Sequence, residues 1–398
     1  MGSQAESLTP LKGTKLFSSF KLGKYDLCHR IAQAPCTRMR GVKESDGIYV
    51  PGDLMVKYYS QRASKGGLQI TEATDISHYA SGYPGVPGIF SASQIAGWQR
   101  VTDSVHKKGG IIFLQIWHTG RASPSSCRDG MAPPSASNVP MDGKWLDGTQ
   151  CSEHPPVPMT AEEIHATTKD FVEAAKRAVE AGFDGVEIHG ANGYLLEQFL
   201  HDNINNRTDE FGGSVENRCR FLLNVVKAVC DAIGSDRVGI RLSPWNYFQT
   251  TKDSNRLGHW SYLCSELASL PTSQKPAYVH MVEPRVDEEL EEDVKIASLT
   301  AEQNTIPSLK PFREILQPAG IAFISAGGFG RADTLPKVES GLADIIGFGR
   351  WFIANPDLPF RLEEGLPLND YDRTTFYGAV TPEKGYVDYP VAEAMRDA

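Results

Sequence analysis

The chain has 398 residues, of which 40% are hydrophobic and 22% are charged, and its formal net charge is -9. This length allows one large barrel or two smaller domains with a sizeable core. The acidic balance and the lack of a lysine or arginine run argue against nucleic acid or an anionic membrane as a partner. Seven scattered cysteines without a Cys-x-x-Cys pair predict no disulfide framework, no iron-sulfur site and no metal site.

The N-terminal residues give no sign of export or membrane anchoring. Residues 1–6, Met-Gly-Ser-Gln-Ala-Glu, lack the basic and apolar regions of a signal peptide, and no apolar run reaches about 18 residues. Position 6 also lacks the serine or threonine of a myristoylation signal. We therefore expect a cytoplasmic protein, either a monomer or a homodimer, that acts on a small molecule.

Short apolar runs rich in isoleucine and valine alternate with longer helical patterns along the chain. Eight such runs cover residues 30–34, 68–73, 110–117, 183–189, 237–242, 277–282, 321–326 and 343–348. This alternation is typical of a parallel (β/α)8 barrel. Because no linker divides the chain, we predict one α/β domain, a TIM barrel over residues 1–398.

Two helices and one long loop have clear sequence signals. Thr160 with Glu163 predicts a capping box at the start of one helix, and Gly182 ends it. Ser214 predicts the N-cap of a helix over residues 215–233. Residues 121–158 are rich in proline, serine, glycine and aspartate, and predict a long insertion after the third strand, over the active face of the barrel.

Three polar residues follow the fourth predicted strand. His189, Asn192 and Tyr194 lie at i, i+3 and i+5, where a barrel enzyme carries its catalytic residues. Histidine and asparagine can each donate a hydrogen bond to one substrate oxygen, and a nearby phenol can donate a proton. The spacing therefore predicts a site that activates an electrophile and protonates the product.

Glycines end the last two predicted strands. Gly327 and Gly328 follow the seventh strand, and Gly349 with Arg350 follows the eighth. Backbone N–H groups and a guanidinium at these two positions commonly hold a phosphate in barrel enzymes. The two motifs together predict a phosphate site.

Two polar residues interrupt apolar strands. Burying Gln115 and Arg241 costs about 1 to 3 kcal/mol for the amide, and more for the charge, unless each has a partner. An ion pair inside the barrel would satisfy Arg241. An anionic or carbonyl-rich heterocycle in the barrel mouth would satisfy both residues.

Several motifs occur together in the order found in one enzyme family. They are Ala34-Pro-Cys-Thr-Arg-Met-Arg40, His189-x-x-Asn192-x-Tyr194, Asn206-Arg-Thr-Asp-Glu-Phe-Gly-Gly-Ser-x-Glu-Asn-Arg218, Gly347-x-Gly-Arg350, and Asp372-Arg-x-Thr-Phe-Tyr377 with Gly385-Tyr-x-Asp-Tyr-Pro390. Over nearly its whole length the chain resembles the Old Yellow Enzyme family of FMN-dependent ene-reductases, particularly its yeast and filamentous-fungal members.

The resemblance implies tight, non-covalent binding of FMN. The cofactor-binding residues would be Pro35, Cys36, Thr37, Ala73, Gln115, Arg241, Gly327, Gly328, Gly349, Arg350 and Phe376. The Thr37 hydroxyl would lie near the flavin C4 carbonyl and tune the electron affinity of the ring. Gln115 would bind the pyrimidine edge, and Arg241 would stabilise the anionic reduced flavin. The glycines and Arg350 would hold the phosphate.

The resemblance also implies a ping-pong reaction. NADPH would deliver a hydride to flavin N5, and an enone, an enal or a nitroalkene would then bind with its oxygen on His189 and Asn192. Hydride would pass to the β-carbon, and Tyr194 would protonate the α-carbon from the opposite face. Trp117 and Tyr377 would line the substrate pocket.

Three other functions are compatible with parts of the sequence. A secondary-metabolite reductase or isomerase of the same fold could act on an enal, but the biosynthetic branch can lack the tyrosine that is present as Tyr194. A flavin-free lyase or aldolase would need a Schiff-base lysine, and Lys295 and Lys310 lie outside the predicted strands. A degenerate binding module would not need the set of His189, Asn192 and Tyr194. The physiological substrate, the preferred nicotinamide and the stereochemistry stay open.

Overall fold

The computed structural model describes residues 9–45, 47–145, 147–287 and 290–395. Within these residues, parallel strands close into an eight-stranded barrel. The barrel strands are β1 Ile31–Gln33, β2 Leu68–Ile70, β3 Ile111–Trp117, β4 Gly185–Gly190, β5 Val238–Leu242, β6 Tyr278–Val282, β7 Ala322–Ala326 and β8 Ile345–Phe348. Seven lie within predicted apolar runs and β4 extends one residue beyond its run of 183–189, so the predicted barrel is confirmed.

The barrel closes in chain order. Each strand pairs in parallel with the next, β8 pairs with β1, and β3 pairs with β4. Because all eight strands run in one direction, their carboxyl ends meet at one end of the barrel. The loops that follow the strands therefore converge on a single mouth, which is where barrel enzymes place their active sites.

Helices surround the barrel. They are α1 Asp53–Arg62, α2 Ala92–His106, α3 Ala161–Glu180, α4 Leu195–Leu200, α5 Val215–Ile233, α6 Arg256–Ser269, α7 Glu292–Gln303, α8 Lys310–Leu316, α9 Arg331–Glu339, α10 Arg350–Ala354 and α11 Leu358–Glu364. Thr160 and Glu163 form the predicted capping box of α3, and Ser214 caps α5 through the Asn217 N–H. Apolar stripes on α3 and α5 bury against the barrel, since both helices belong to the main apolar core.

Short elements lie outside the barrel. The extra strands are Phe20–Leu22, Tyr25–Leu27, Val42–Ser45, Ile48–Val50, Thr74–Asp75, Pro134–Ser135 and Val157–Pro158. Single 3-10 turns lie at Lys15–Phe17, His78–Ala80, Gly120–Ala122, Ser125–Cys127, Cys151–Glu153, Ser235–Arg237, Phe248–Thr250, Gln317–Ala319, Arg373–Thr375 and Glu393–Met395. The segment between β3 and α3 thus consists of turns and two very short strands. Among the described residues, no helix is both long and apolar enough to cross a membrane.

A hairpin covers the end of the barrel opposite the mouth. Leu22 and Leu27 of the antiparallel pair pack against inward residues of the barrel strands, including Phe113 and Tyr278. The Tyr25 hydroxyl donates to the carbonyl of Asp184 at 2.6 Å, which ties the hairpin to the start of β4. Because this end is covered, a ligand reaches the barrel interior from the mouth.

Candidate active site

A buried polar network lies inside the barrel below the mouth. Glu187 on β4 is fully buried and accepts hydrogen bonds from Gln115 Nε2 at 2.7 Å and from His280 Nδ1 at 2.9 Å. Burial opposes ionisation of Glu187, but these donors and the nearby Arg241 guanidinium together hold its pKa below the usual value. Burial also lowers the pKa of His280, so this ring is a neutral donor. The amide oxygen of Gln115 is left for a ligand.

Arg241 lies level with His189 and His280 on the neighbouring strands. Its guanidinium makes no hydrogen bond with a described residue, and its buried Nε has no partner. Burial lowers the pKa of Arg241, while Glu187 raises it. A buried guanidinium nitrogen that lacks a hydrogen-bond partner is costly, so Arg241 is suited to bind an anionic or carbonyl group.

His189 is arranged as a hydrogen-bond donor. Burial, and then the charges of Arg241 and His280, lower its pKa well below the usual value, so the ring is neutral. Its Nδ1 accepts the N–H of Ala191 at 3.3 Å, which places the single ring proton on Nε2. No described residue accepts a hydrogen bond from Nε2. His189 can therefore donate to a ligand oxygen.

Asn192 lies in a tight turn that is held by two polar side chains, Ser243 and Glu197. Its backbone is left-handed, with φ 56°, a conformation that asparagine tolerates better than most residues. The Asn192 N–H donates to Ser243 Oγ at 2.7 Å. Ser243 in turn donates to the fully buried carboxylate of Glu197, which also accepts the N–H of Gly193. The Asn192 side-chain amide bonds to no described residue and is available to a ligand.

Tyr194 belongs to an aromatic wall that we define as Tyr83, Trp117 and Tyr194. The Tyr194 ring lies edge-on to the His189 ring at 5.0 Å and to Trp117 at 4.5 Å, measured between ring centroids. Its hydroxyl is 3.5 Å from that of Tyr83. Burial and the neighbouring Tyr83 raise the pKa of Tyr194 well above 10.0, so the phenol keeps its proton. The position of Tyr83 in this wall was not predicted from the sequence, because Tyr83 belongs to none of the recognised motifs.

The loop after β1 lies at the mouth beside the glycines after β8. Pro35, Cys36 and Thr37 are partly exposed there, and Ala73, after β2, packs against Trp117. A side chain at Gly349 would lie 3.0 Å from Cys36 Sγ, so the two loops approach closely. Burial raises the pKa of the Cys36 thiol despite nearby arginines, which makes Cys36 a neutral lining group.

The predicted phosphate residues form a shallow cradle with one unpaired cation. Gly327 and Gly328 have φ values of 133° and 67°, which side chains rarely adopt, and a side chain at Gly327 would meet Val286 at 2.7 Å. The Arg350 guanidinium lies over the Tyr371 ring at 5.5 Å and makes no hydrogen bond with a described residue. The cradle thus offers exposed backbone and a guanidinium to an anion.

Two buried arginines fix the C-terminal segment over the mouth. Arg38 donates to the carbonyls of Phe376 at 3.0 Å and Gly385 at 2.7 Å, and Arg40 donates to the carbonyl of Thr375 at 2.8 Å. Phe376 is consequently held beside the loop after β1. Tyr377, the next residue, is 63% exposed at the rim. The sequence motif contained both arginines, but it did not reveal this role.

These groups fit FMN in their charge and in their positions on the barrel strands. The guanidinium of Arg241 and the amide oxygen of Gln115 lie deep in the mouth, where a flavin ring would need a cation and an acceptor. The glycine cradle and Arg350 lie at the ends of β7 and β8, where the phosphate would need to be. The Nε2 proton of His189 and the side-chain amide of Asn192 bond to no described residue and are available to a second ligand.

Comparison with known proteins places the chain in a family. The model of the NADH:flavin oxidoreductase / NADH oxidase family matches residues 15–369. The chain belongs to this Old Yellow Enzyme family. It is therefore a flavin-dependent oxidoreductase of the Old Yellow Enzyme type, as the sequence motifs predicted. The assignment also favours a flavin enzyme over the flavin-free lyase or aldolase.

Individual relatives match almost end to end. The flavin oxidoreductase hxnT of Emericella nidulans is 58% identical over 388 residues, which cover 97% of this chain and 100% of the relative. The 12-oxophytodienoate reductase 1 of Oryza sativa subsp. japonica is 44% identical and covers 96% of this chain and 94% of its own.

Solved structures give the same result. Morphinone reductase in complex with tetrahydroNAD has a TM-score of 0.82 at 39% identity, with 96% of this chain and 99% of that chain covered. The old yellow enzyme homologue of Zymomonas mobilis has a TM-score of 0.83 at 38% identity, with coverage of 95% and 99%. The whole barrel is thus shared with these oxidoreductases.

Replacing Arg241 tests the cofactor fit. We expect Arg241→Met to weaken FMN binding by about 10- to 100-fold, because a hydrogen-bonded charge contributes roughly 1.5 to 3 kcal/mol. The measurement is the ratio of FMN to protein after dialysis, and the dissociation constant from fluorescence titration of the apoprotein. Arg313→Met is the matched control, since Arg313 is a buried arginine that pairs with Asp344 outside the mouth. Equal FMN affinity in the two variants would contradict the fit.

Proposed function

We propose that this enzyme is an ene-reductase, which uses FMN and NADPH to reduce the activated C=C bond of α,β-unsaturated carbonyl compounds. The observation that carries the proposal is the arrangement of three side chains at one end of β4. A neutral His189 with a free Nε2 proton, a free Asn192 amide and a protonated Tyr194 lie within six residues at the end of β4, and the rings of His189 and Tyr194 lie 5.0 Å apart between centroids. Two donors for one oxygen and one acid are what conjugate reduction requires.

In this proposal the cofactor-binding residues contact different parts of FMN. Gln115 and Arg241 would bind the flavin ring, the loop of Pro35, Cys36 and Thr37 would line it, and Ala73 would lie alongside. The cradle of Gly327, Gly328, Gly349 and Arg350 would hold the phosphate, with Phe376 above the ring. When bound, FMN would supply the hydride for the β-carbon and would be reduced again by the nicotinamide.

His189 and Asn192 would bind the carbonyl oxygen of the substrate. Their hydrogen bonds withdraw electron density from the alkene and stabilise the negative charge that develops on the oxygen. Because His189 is neutral, its bond polarises the oxygen without transferring a proton. The turn held by Ser243 and Glu197 keeps the Asn192 backbone in place, so little reorganisation accompanies the reaction.

Tyr194 would protonate the α-carbon. Its pKa lies well above 10.0, so the phenol is fully protonated at neutral pH and transfers its proton only to a strongly basic carbon. Trp117 packs against the Tyr194 ring and, with Tyr377 at the rim, would line the substrate pocket. Proton and hydride would reach opposite faces of the alkene, giving net trans addition.

The relatives support the kind of substrate but not its identity. Two of them are named as reductases of 12-oxophytodienoate and of morphinone, both carbonyl compounds. The proposal of NADPH rests on the sequence resemblance, whereas the family description names NADH. The preference is decided by comparing kcat/KM for the two nicotinamides on the same preparation.

Anaerobic spectroscopy of the purified protein tests the proposal. We expect a yellow protein that bleaches when NADPH is added and recovers its colour when cyclohexenone is then added, with one alkene reduced for each nicotinamide oxidised. The substrate screen should include enals, maleimides and nitroalkenes under the same conditions. A colourless protein that cannot be reconstituted with FMN would show that FMN is not the cofactor. A bleached protein that no activated alkene reoxidises would show that alkene reduction is not its reaction.

A further inference from the structure

A buried carboxylate lies behind the aromatic wall. Asp75 belongs to the strand Thr74–Asp75, which pairs in parallel with β3 and sets Asp75 opposite Trp117. Its Oδ1 accepts the indole N–H of Trp117 at 2.7 Å, and both side chains are almost fully buried. The Asp75 backbone is fixed by bonds of 3.0 Å to Pro87 and Ile89. The carboxylate is thus a rigid acceptor for one indole.

The surroundings of Asp75 compensate its charge only in part. Burial raises its pKa to about 7, against the opposing effects of the Ser81 hydroxyl, the Trp117 indole and the Arg128 guanidinium. Cys127 is a further titratable group whose pKa responds to Asp75. A neutral acceptor could also satisfy an indole N–H, at a lower desolvation cost. A carboxylate forms the stronger hydrogen bond and therefore holds the ring more firmly.

The Trp117 ring contacts Tyr83 and two residues of the proposed chemistry, Tyr194 and His189. Trp117 stacks on Tyr83 at 5.7 Å with 21° between the planes, and lies 4.5 Å from Tyr194 and 5.9 Å from His189, between ring centroids. A rotation of this indole would change the wall of the pocket and the support of the Tyr194 phenol. The orientation of one side chain therefore affects both substrate fit and proton delivery.

We propose that Asp75 is a positioning residue, which fixes the Trp117 indole and thereby decides which face of a prochiral alkene lies in the pocket. The inference rests on the proposed ene-reduction, because it concerns the orientation of the substrate of that reaction. It assigns facial selectivity to a residue that lies buried behind Trp117.

Product stereochemistry is the first test. We expect Asp75→Leu to lower the enantiomeric ratio of the product from a substituted cyclohexenone by about tenfold, the order expected when one hydrogen bond to a charged group is lost. Asp75→Asn keeps an acceptor and should retain most of the ratio. The control is Asp184→Asn, which alters a carboxylate at the covered end of the barrel, where Asp184 accepts the Ile112 N–H at 2.9 Å. An unchanged ratio in a folded, FMN-containing Asp75→Leu protein would overturn the inference.

The indole N–H resonance of Trp117 is the second test, and it needs no substrate. In protein labelled with 15N-tryptophan, the Trp117 signal is the one that disappears in Trp117→Phe. We expect it to move downfield as the pH rises through about 7, as Asp75 ionises, and to stay fixed over that range in Asp75→Asn. A signal with the same position and pH response in both proteins would refute the anchor. If the wild type reduces no enone but this signal behaves as expected, the proposed function fails while the anchor stands.

Discussion

Tyr194→Phe should abolish most net alkene reduction while leaving reduction of the flavin by NADPH in place. The change removes one hydroxyl and keeps the ring that packs against Trp117 and His189. Loss of a general acid typically costs about 10² to 10⁴ in rate, so the kcat for enone reduction should fall by that order. Stopped-flow absorbance separates the two half-reactions, because NADPH bleaches the flavin and the enone restores its colour.

Tyr83→Phe is the matched control for this variant. Tyr83 contributes the hydroxyl that lies 3.5 Å from that of Tyr194, and its ring stacks on the same tryptophan. Because Tyr194 keeps its own proton, we expect Tyr83→Phe to slow the reaction far less than Tyr194→Phe. If the two variants were equally slow, or if Tyr194→Phe formed product at the wild-type rate, the acid would have to be another group.

The fold was predictable because its strands are buried on both faces. Parallel barrel strands have sequences that are short continuous apolar runs, and each of the eight runs coincides with one strand of the barrel to within a few residues. The starts of two helices were also predictable from sequence. Thr160, Glu163 and Ser214 cap these helices through hydrogen bonds to residues three positions away. Strand ends were less certain. The run 68–73 contains a strand of only Leu68–Ile70, because the chain then turns toward the short strand Thr74–Asp75.

The residues of the site were predictable where they lie in a motif. His189, Asn192 and Tyr194 lie at the end of one strand, the His189 and Tyr194 rings are in contact, and Arg241 lies level with His189 through strand pairing. The motif does not indicate the protonation of the His189 ring. That protonation depends on burial, which keeps the ring neutral, and on the Ala191 N–H, which binds Nδ1.

Other residues were beyond the reach of the sequence because their contacts span distant loops. Tyr83 is one of many aromatic residues, and only folding places it against Trp117. Asp75 appears as a polar residue in a loop, although it is buried behind that same tryptophan. Arg38 binds carbonyls more than 300 positions away, for which periodicity and local spacing give no signal.

Removing the oxygen-binding donors should produce the second large loss of activity. We expect His189→Ala and Asn192→Ala each to lower kcat/KM for cyclohexenone by about 10² to 10³, the typical cost of one donor to a developing oxyanion. His189→Asn should recover part of the loss, because an amide can again donate to the oxygen. Steady-state kinetics and anaerobic reoxidation of the reduced protein measure these effects.

The double variant shows whether the two donors act on one oxygen. Groups that stabilise the same charge are coupled, so the combined loss should differ from the product of the two single losses. Ser243→Ala provides a graded comparison, since it removes the bond to the Asn192 N–H while leaving both donor side chains present. We expect a smaller loss there than in Asn192→Ala. If the single losses simply multiplied and Ser243→Ala had no effect, His189 and Asn192 would act independently, and the shared oxygen site would be wrong.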